Sequence, residues 1–343
     1  MFVVQKYITS EVTFFHRKSA ILVTQTKGAK KMGLFSKIKK TKTNTPEDNR
    51  QKAVDNLKKF DPSVRPGGVF MVKLLMKEQC DMPSTQRIKE VLSQYLGKIE
   101  GFEESSKEKG FYSGFAMDYL SKFSDREVPV QLSILGCDPF DADKIDEMQR
   151  SQMWDCQVDR DRILSECKYA VLANDMLGGG LKAQVRANML MDYLEALLEL
   201  FPSCEAVYFI NTGKLILADT IRNRGVQGLD RYIKYYVNVR FFNISGTNDH
   251  VIDTIGLSLL YIEDLQYHFH DMDPNWVVNH AYNMASYILD NDCPIKDGDT
   301  IDGIAGGQLV QDIQWKCHFE DSLIGPTRPV LDVCMGEYAA GKR

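Results

Sequence analysis

An arginine beside small hydroxyl residues is the chemistry of a carboxylate or phosphate clamp, and one stretch of this chain offers it. If residues 232–244 and 251–261 pair as a hairpin about Ser245-Gly-Thr-Asn248, then Asn238 and Arg240 fall beside Thr254, Gly256 and Ser258 on one sheet face. The plainer reading puts Arg240 in a structural ion pair. His268-Phe-His270 alternates so that both imidazoles project from a polar face, with Asp271, Asp273 and His280 near enough to complete a metal site. The spacing matches no zinc signature, and no metal is expected. Asp290, Asp292, Asp297, Asp299 and Asp302 are the hard oxygens calcium takes. An EF-hand counted from Asp297, however, has Asp302 and Gln308 where glycine and glutamate belong. A tight turn at Asp297-Gly298, with Asp299 or Thr300 bonded to local amides, is the expectation. Asp297, Asp299 and Thr300 stay as secondary ligand candidates.

Asn174-Asp-Met-Leu-Gly-Gly-Gly180 stands between a strand and a helix, where free amides hold phosphate. It has neither G-x-G-x-x-G nor G-K-[ST], so a flexible connector is the simpler expectation. No nucleophile elbow and no H-E-x-x-H appears, no catalytic residue is nominated, and no cofactor is expected.

The elements that must hold these residues are read from periodicity. Val69 to Met76 is a strand-length apolar run, and Ser84 caps a helix carrying Ile88, Val91, Leu92, Tyr95 and Leu96. Strands over 112–120 and 130–135, a helix over 141–153 and a strand over 169–173 complete a β-α-β-β-α-β order, the ferredoxin-like arrangement. Leu181 to Phe201 is the clearest helix, stopped by Pro202. Strands 206–210 and 214–217 turn about Asn211-Thr-Gly213. Alternation over Ile233, Tyr235, Val237, Val239 and Phe241 predicts a strand, continued by Ile255, Leu257, Leu259 and Tyr261. Asp273-Pro274 opens a helix over 275–289, and strands near 311–319 and 330–334 close the chain. The expectation is an α+β protein of two ferredoxin-like lobes, with antiparallel sheets and helices packed on one side. Residues 1–65 would form a basic, disordered tail, 66–177 the first lobe and 178–343 the second. Met32-Gly-Leu-Phe reads like a natural start.

The formal charge of -5 hides an asymmetry. Residues 1–46 hold ten Lys or Arg against Glu11 alone, a net of +9, which leaves -14 for residues 47–343. Such a body repels phosphate backbones, so nucleic acid is not an expected partner. Eight cysteines without a C-x-x-C pair argue against a zinc ribbon or a disulfide framework. With no leader-like or membrane-spanning run, the reading is cytoplasmic.

From about residue 235 to 301 the chain resembles the bacterial family called domain of unknown function 4261. The carrying features are Tyr236-Val-Asn-Val-Arg-Phe-Phe242, Thr254-Ile-Gly-Leu257, Glu263-Asp264, the helix ending Tyr287-Ile-Leu289, and above all Ile295-Lys-Asp-Gly-Asp-Thr-Ile301. Asp302 departs from the family pattern, in which a glycine commonly follows the isoleucine. The resemblance implies a bacterial cytosolic protein and supplies no catalytic residue. A non-catalytic module that binds another protein or a small anionic ligand is the leading expectation. The alternative is an enzyme working from the Arg240 and Thr254 face or the His268 and His270 edge.

Overall fold

The computed structural model describes residues 68–104, 110–122 and 126–341; the expected basic tail and the Met32 start lie outside them. The strands are β1 (Met71–Met76), β2 (Ile99–Glu104), β3 (Tyr112–Lys122), β4 (Glu127–Pro139), β5 (Tyr169–Met176), β6 (Ala206–Phe209), β7 (Lys214–Leu217), β8 (Asn238–Asn243), β9 (His250–Ile255), β10 (Asp264–Phe269), β11 (Thr300–Ala305), β12 (Gln308–Asp321) and β13 (Pro329–Cys334). The helices are α1 (Thr85–Leu96), α2 (Glu147–Ser151), α3 (Arg160–Glu166), α4 (Ala183–Leu200), α5 (Ala218–Arg222), α6 (Asp230–Tyr235) and α7 (Pro274–Asp290).

Two sheets hold the fold, one ordered β2-β3-β4-β5-β1-β6-β7 and one ordered β11-β12-β13-β10-β9-β8. Every neighbouring pair is antiparallel except β10 with β13. The α+β class is therefore present. The strand order differs from the ferredoxin-like expectation, in which the first strand lies between the third and the fourth. Here β5 returns directly alongside β4, with Leu132 opposite Asp175 and Ile134 opposite Ala173. That leaves β1 between β5 and β6. The lobe boundary expected at residue 177 also does not coincide with a sheet boundary, because β6 and β7 join the first sheet.

Helices do not keep to one side of that sheet. In β1, Val72, Leu74 and Met76 face α1 and α4 in the main core, whereas Leu75 faces a second cluster with Phe140, Ile163, Leu164, Tyr208 and Leu215. A central strand buried on both faces reads as a continuous apolar run, as Val69 to Met76 does. Phe140, Ile145, Met153 and Cys156 from the irregular run, with Ile163 and Leu164 of α3, cover the second face, and only the short, uncovered α2 forms where the pattern predicts a single helix over 141–153.

In the second sheet Ile252, Leu265, Tyr267, Leu331 and Val333 face α7 and extend the same main core. Asp273 Oδ1 accepts from the Asn275 amide at 2.9 Å, with Pro274 opening the helix. Upstream, the alternating run begins as helix: Ile233 and Tyr235 lie in α6, and the strand starts at Asn238. Tyr232, Ile233, Tyr235 and Tyr236 are all buried. Such spacing suits one helical turn sunk among neighbours as well as it suits a strand.

Candidate functional site

Pairing across the second sheet aligns one polar row on the face opposite α7. Arg240 stands opposite Asp253, Asp253 opposite Gln266, Gln266 opposite Asp332, and Asp332 opposite His318. The connection between β12 and β13 folds over this row. The Leu323 amide donates to Gln266 Oε1 at 2.7 Å, and Gln266 Nε2 donates to Glu320 Oε1 at 2.7 Å and Asp332 Oδ1 at 3.1 Å.

Arg328, on the same connection, is the keystone. Its Nε donates to Asp264 Oδ2 at 3.2 Å, its Nη1 to the Ile324 and Pro326 carbonyls, and its Nη2 to Asp253 Oδ2 at 2.9 Å and the Thr254 carbonyl at 2.6 Å. All five guanidinium N–H groups are thereby engaged. Arg240 donates through Nε to Asp253 Oδ1 at 2.8 Å, through Nη2 to Asp253 Oδ2, and through Nη1 to the Gly325 carbonyl at 3.0 Å. Burial alone would raise the Asp253 carboxyl, but the two guanidiniums overcome it and hold the group below its ordinary value. For Asp264 burial prevails, and its pKa is raised in spite of Arg328.

The expected anion clamp is therefore occupied from within: every nitrogen of Arg240 already has an acceptor. The register is also one residue away from the expected one. The Ile244 amide bonds the Asp249 carbonyl at 2.9 Å, which sets Arg240 against Asp253 and Val239 against Thr254. A slip of one residue moves a side chain to the other face. Thr254 Oγ1 donates to Asp264 Oδ1 at 3.1 Å and accepts from the Leu265 amide at 2.8 Å. Asn238 ties the two sheets together, its Nδ2 donating to the Thr212 carbonyl at 3.0 Å. Ser258 Oγ is buried without a hydrogen bond, yet lies close enough to Asp264 to favour its charged form.

The aspartate-rich bend is stitched onto β12. Asp299 Oδ2 accepts from the Lys296 amide at 2.9 Å, Asp297 Oδ1 from the Phe319 amide at 3.0 Å, and Thr300 Oγ1 donates to Gln314 Oε1 at 2.8 Å. The histidines go to separate partners. His268 Nε2 lies 3.7 Å from Asp249, His270 Nδ1 lies 2.9 Å from Asp271, and His280 is buried between Tyr267 and the Asp302 carbonyl. Among the described residues no trio of His, Cys, Asp or Glu is placed to hold a metal ion.

Residues 253–334 match the family described as Domain of unknown function (DUF4261). The DUF4261 match covers about a quarter of the chain, beginning later than the resemblance in the sequence and running on to Cys334. It takes in Asp253, Asp264 and Arg328 and leaves Arg240 outside. No curated protein matches the chain, and no solved structure does.

Two more buried cations tie the first sheet to its neighbours, Arg186 to the DUF4261 segment and Lys214 to the residue before β8. Arg186 of α4 pairs with Asp175 at 2.9 Å and donates to the Leu259 carbonyl at 2.7 Å and the Gly68 carbonyl at 2.8 Å. Lys214 Nζ sits 3.0 Å from Asp155 and donates to the Val237 carbonyl at 2.8 Å; burial lowers its pKa, against the pull of Asp155. Sequence reasoning did not nominate these residues. The available signal was a charge inside an apolar helix at Arg186 and a lysine opening a buried strand at Lys214.

Gly178 to Gly180 form a packed turn rather than the expected loose connector. A Cβ on Gly178 would collide with the Asp175 carboxylate, one on Gly179 would lie 2.8 Å from the Tyr261 hydroxyl, and one on Gly180 would lie 2.5 Å from the Lys122 carbonyl oxygen. Gly180→Ala is expected to destabilise the fold by about 1–3 kcal/mol, because the obstacle is backbone and must move. Urea unfolding checks this; a loss under about 0.5 kcal/mol would mean that the turn is loose.

Around this turn large apolar side chains stand exposed. Met176 pairs with Gln131, and Leu120 pairs with Pro129 two residues along the same strand, which brings both to one end of the sheet. Tyr261 packs its hydroxyl against Gly179, Leu177 precedes the glycine triplet, and Val185 lies in the first turn of α4. Leu120 and Met176 are 44% exposed, Leu177 and Val185 42%, and Tyr261 38%. Leu177 and Tyr261 also hold left-handed backbone, with φ of 67° and 59°.

Proposed function

We propose that this protein is a non-catalytic interaction module that docks a protein partner on the apolar patch around Gly178 to Gly180. The carrying observation is that Leu177 and Tyr261, two bulky non-glycine residues in the left-handed region, both stay partly exposed, at 42% and 38%. Left-handed backbone costs an L-residue roughly 1–2 kcal/mol, and exposed apolar groups gain nothing from solvent. Burial against a partner would repay both. A small anionic ligand at Arg240 is the weaker reading, since its guanidinium is already shared between Asp253 and Gly325.

The free state of all eight cysteines supports a reducing, cytoplasmic setting. No helix among the described residues is long and apolar enough to cross a membrane.

The test is site-specific photo-crosslinking in the native host, with a benzophenone side chain at Leu177 and, as a control, at the 89% exposed Val158. One protein adduct is expected at position 177, absent at 158 and removed by Val185→Glu. Equal adducts at both positions, or none at 177, would defeat the reading.

A further inference from the structure

Cys80 lies on the turn between β1 and α1, partly exposed, and Cys137 lies buried in β4. The pairing of β4 with β5 shifts register between Leu135 and Cys137, leaving Gly136 as an extra residue. A bulge of this kind re-aims the neighbouring side chain. Here it delivers the Cys137 sulfur to the Cys80 turn, where Cys137 Sγ accepts from the Cys80 amide at 3.4 Å. The Cys137 thiol also lies 4.0 Å from Met76 Sδ, and it is close enough to the Cys80 thiol to disfavour that group's ionisation. Gln79 Nε2 donates to the Cys137 carbonyl at 3.0 Å, which pins the turn to the bulge.

We infer that Cys80 and Cys137 form a reversible disulfide when the protein meets a peroxide, covalently fastening the turn before α1 to β4. The chemistry is a two-electron oxidation of sulfur. The more accessible Cys80 sulfur attacks a peroxide oxygen, the O–O bond breaks, and water leaves with the thiol proton, giving a sulfenic acid. The Cys137 sulfur then attacks the Cys80 sulfur, the S–O bond breaks, and the departing hydroxide takes the Cys137 proton as a second water. A dithiol reductant restores both thiols by exchange.

The environment sets the rate. Burial first, then the Cys137 thiol and the nearby Asp81, push the Cys80 thiol up to about 12, so little thiolate is present at neutral pH. Disulfide formation is therefore slow at pH 7, and its rate rises roughly tenfold per pH unit as the thiolate fraction grows. This describes a pair that answers sustained oxidation and ignores brief exposure.

The experiment treats the full chain with hydrogen peroxide at pH 7, 8 and 9, blocks remaining thiols by alkylation, and maps peptides by mass spectrometry. The expected result is a peptide linking Cys80 to Cys137, lighter by two hydrogen atoms, formed faster at each higher pH and lost on dithiothreitol treatment. Cys80→Ser and Cys137→Ser each remove it. The wild-type map needs no variant, so a misfolded variant does not rescue the inference. Alkylated, unlinked Cys80 after prolonged treatment, Cys80 linked to another cysteine, or direct passage to sulfinic acid would each overturn it.

Discussion

Arg328→Met is expected to cost about 3–5 kcal/mol of stability, because it leaves two buried carboxylates to a single remaining guanidinium. Asp253 keeps Arg240, but Asp264 keeps no cation and is left with neutral donors such as Thr254 Oγ1 and the Leu257 amide. Its pKa, already raised by burial, climbs further, and the group takes a proton or draws water into the sheet. The connection between β12 and β13 also loses the Ile324 and Pro326 carbonyl contacts that fold it over the polar row. Arg240→Met is expected to cost less, since Asp253 retains Arg328. Combining Arg328→Met with Asp264→Leu should recover part of the loss, as replacing a buried pair by apolar groups is far cheaper than breaking it. Guanidinium unfolding of the four proteins reads this order. A loss under about 1 kcal/mol for Arg328→Met would mean that solvent already reaches the pair.

The second large effect is a pH dependence from His280. The Asp302 carbonyl can only accept, so Nε2 carries the ring proton, and Nδ1 accepts from the Tyr267 hydroxyl. The neutral ring is satisfied at both nitrogens and packs tilted against Trp315, with ring centroids 5.1 Å apart. Burial lowers its pKa to about 4 from an ordinary 6.5, with only partial opposition from Asp302. Between those values the unfolded chain binds a proton that the folded chain refuses. Stability is therefore complete above pH 6.5 and declines as pH falls toward 4, by about 3 kcal/mol. His280→Gln is expected to flatten that slope. Urea unfolding at pH 7, 6, 5 and 4.5 checks it, together with imidazole nitrogen resonances that stay neutral until near pH 4. A His280 titration near pH 6.5 would contradict the packing described.

Much of this frame is legible in the letters. The Ser84 cap, the α4 span, the Asn211-Thr-Gly213 hairpin and the Asp273-Pro274 helix start are local signals, and local signals survive folding. The correct β8–β9 register was also within reach. Counting outward from Ser245 and Asn248 pairs Ile244 with Asp249 and so Arg240 with Asp253. What local pattern does not carry is the order of strands in a sheet, because β5 beside β4 and β6 beside β1 depend on which edge is free when each strand arrives. Arg328 escaped notice for a related reason. It lies in an irregular connection, and only the closed structure brings it over aspartates 64 and 75 residues away. The α6 turn misled because a fully buried segment has no polar face to reveal its period.

The account stands on the charges of the second sheet being spent on one another, which leaves recognition to the apolar patch. Arginine Nε–Hε resonances of the full chain, followed while inorganic phosphate is added, test this most directly. Arg240 and Arg328 are expected to give resolved, slowly exchanging signals that do not move with phosphate. A saturable shift of the Arg240 signal, accompanied by release of its bond to Asp253, would contradict the account.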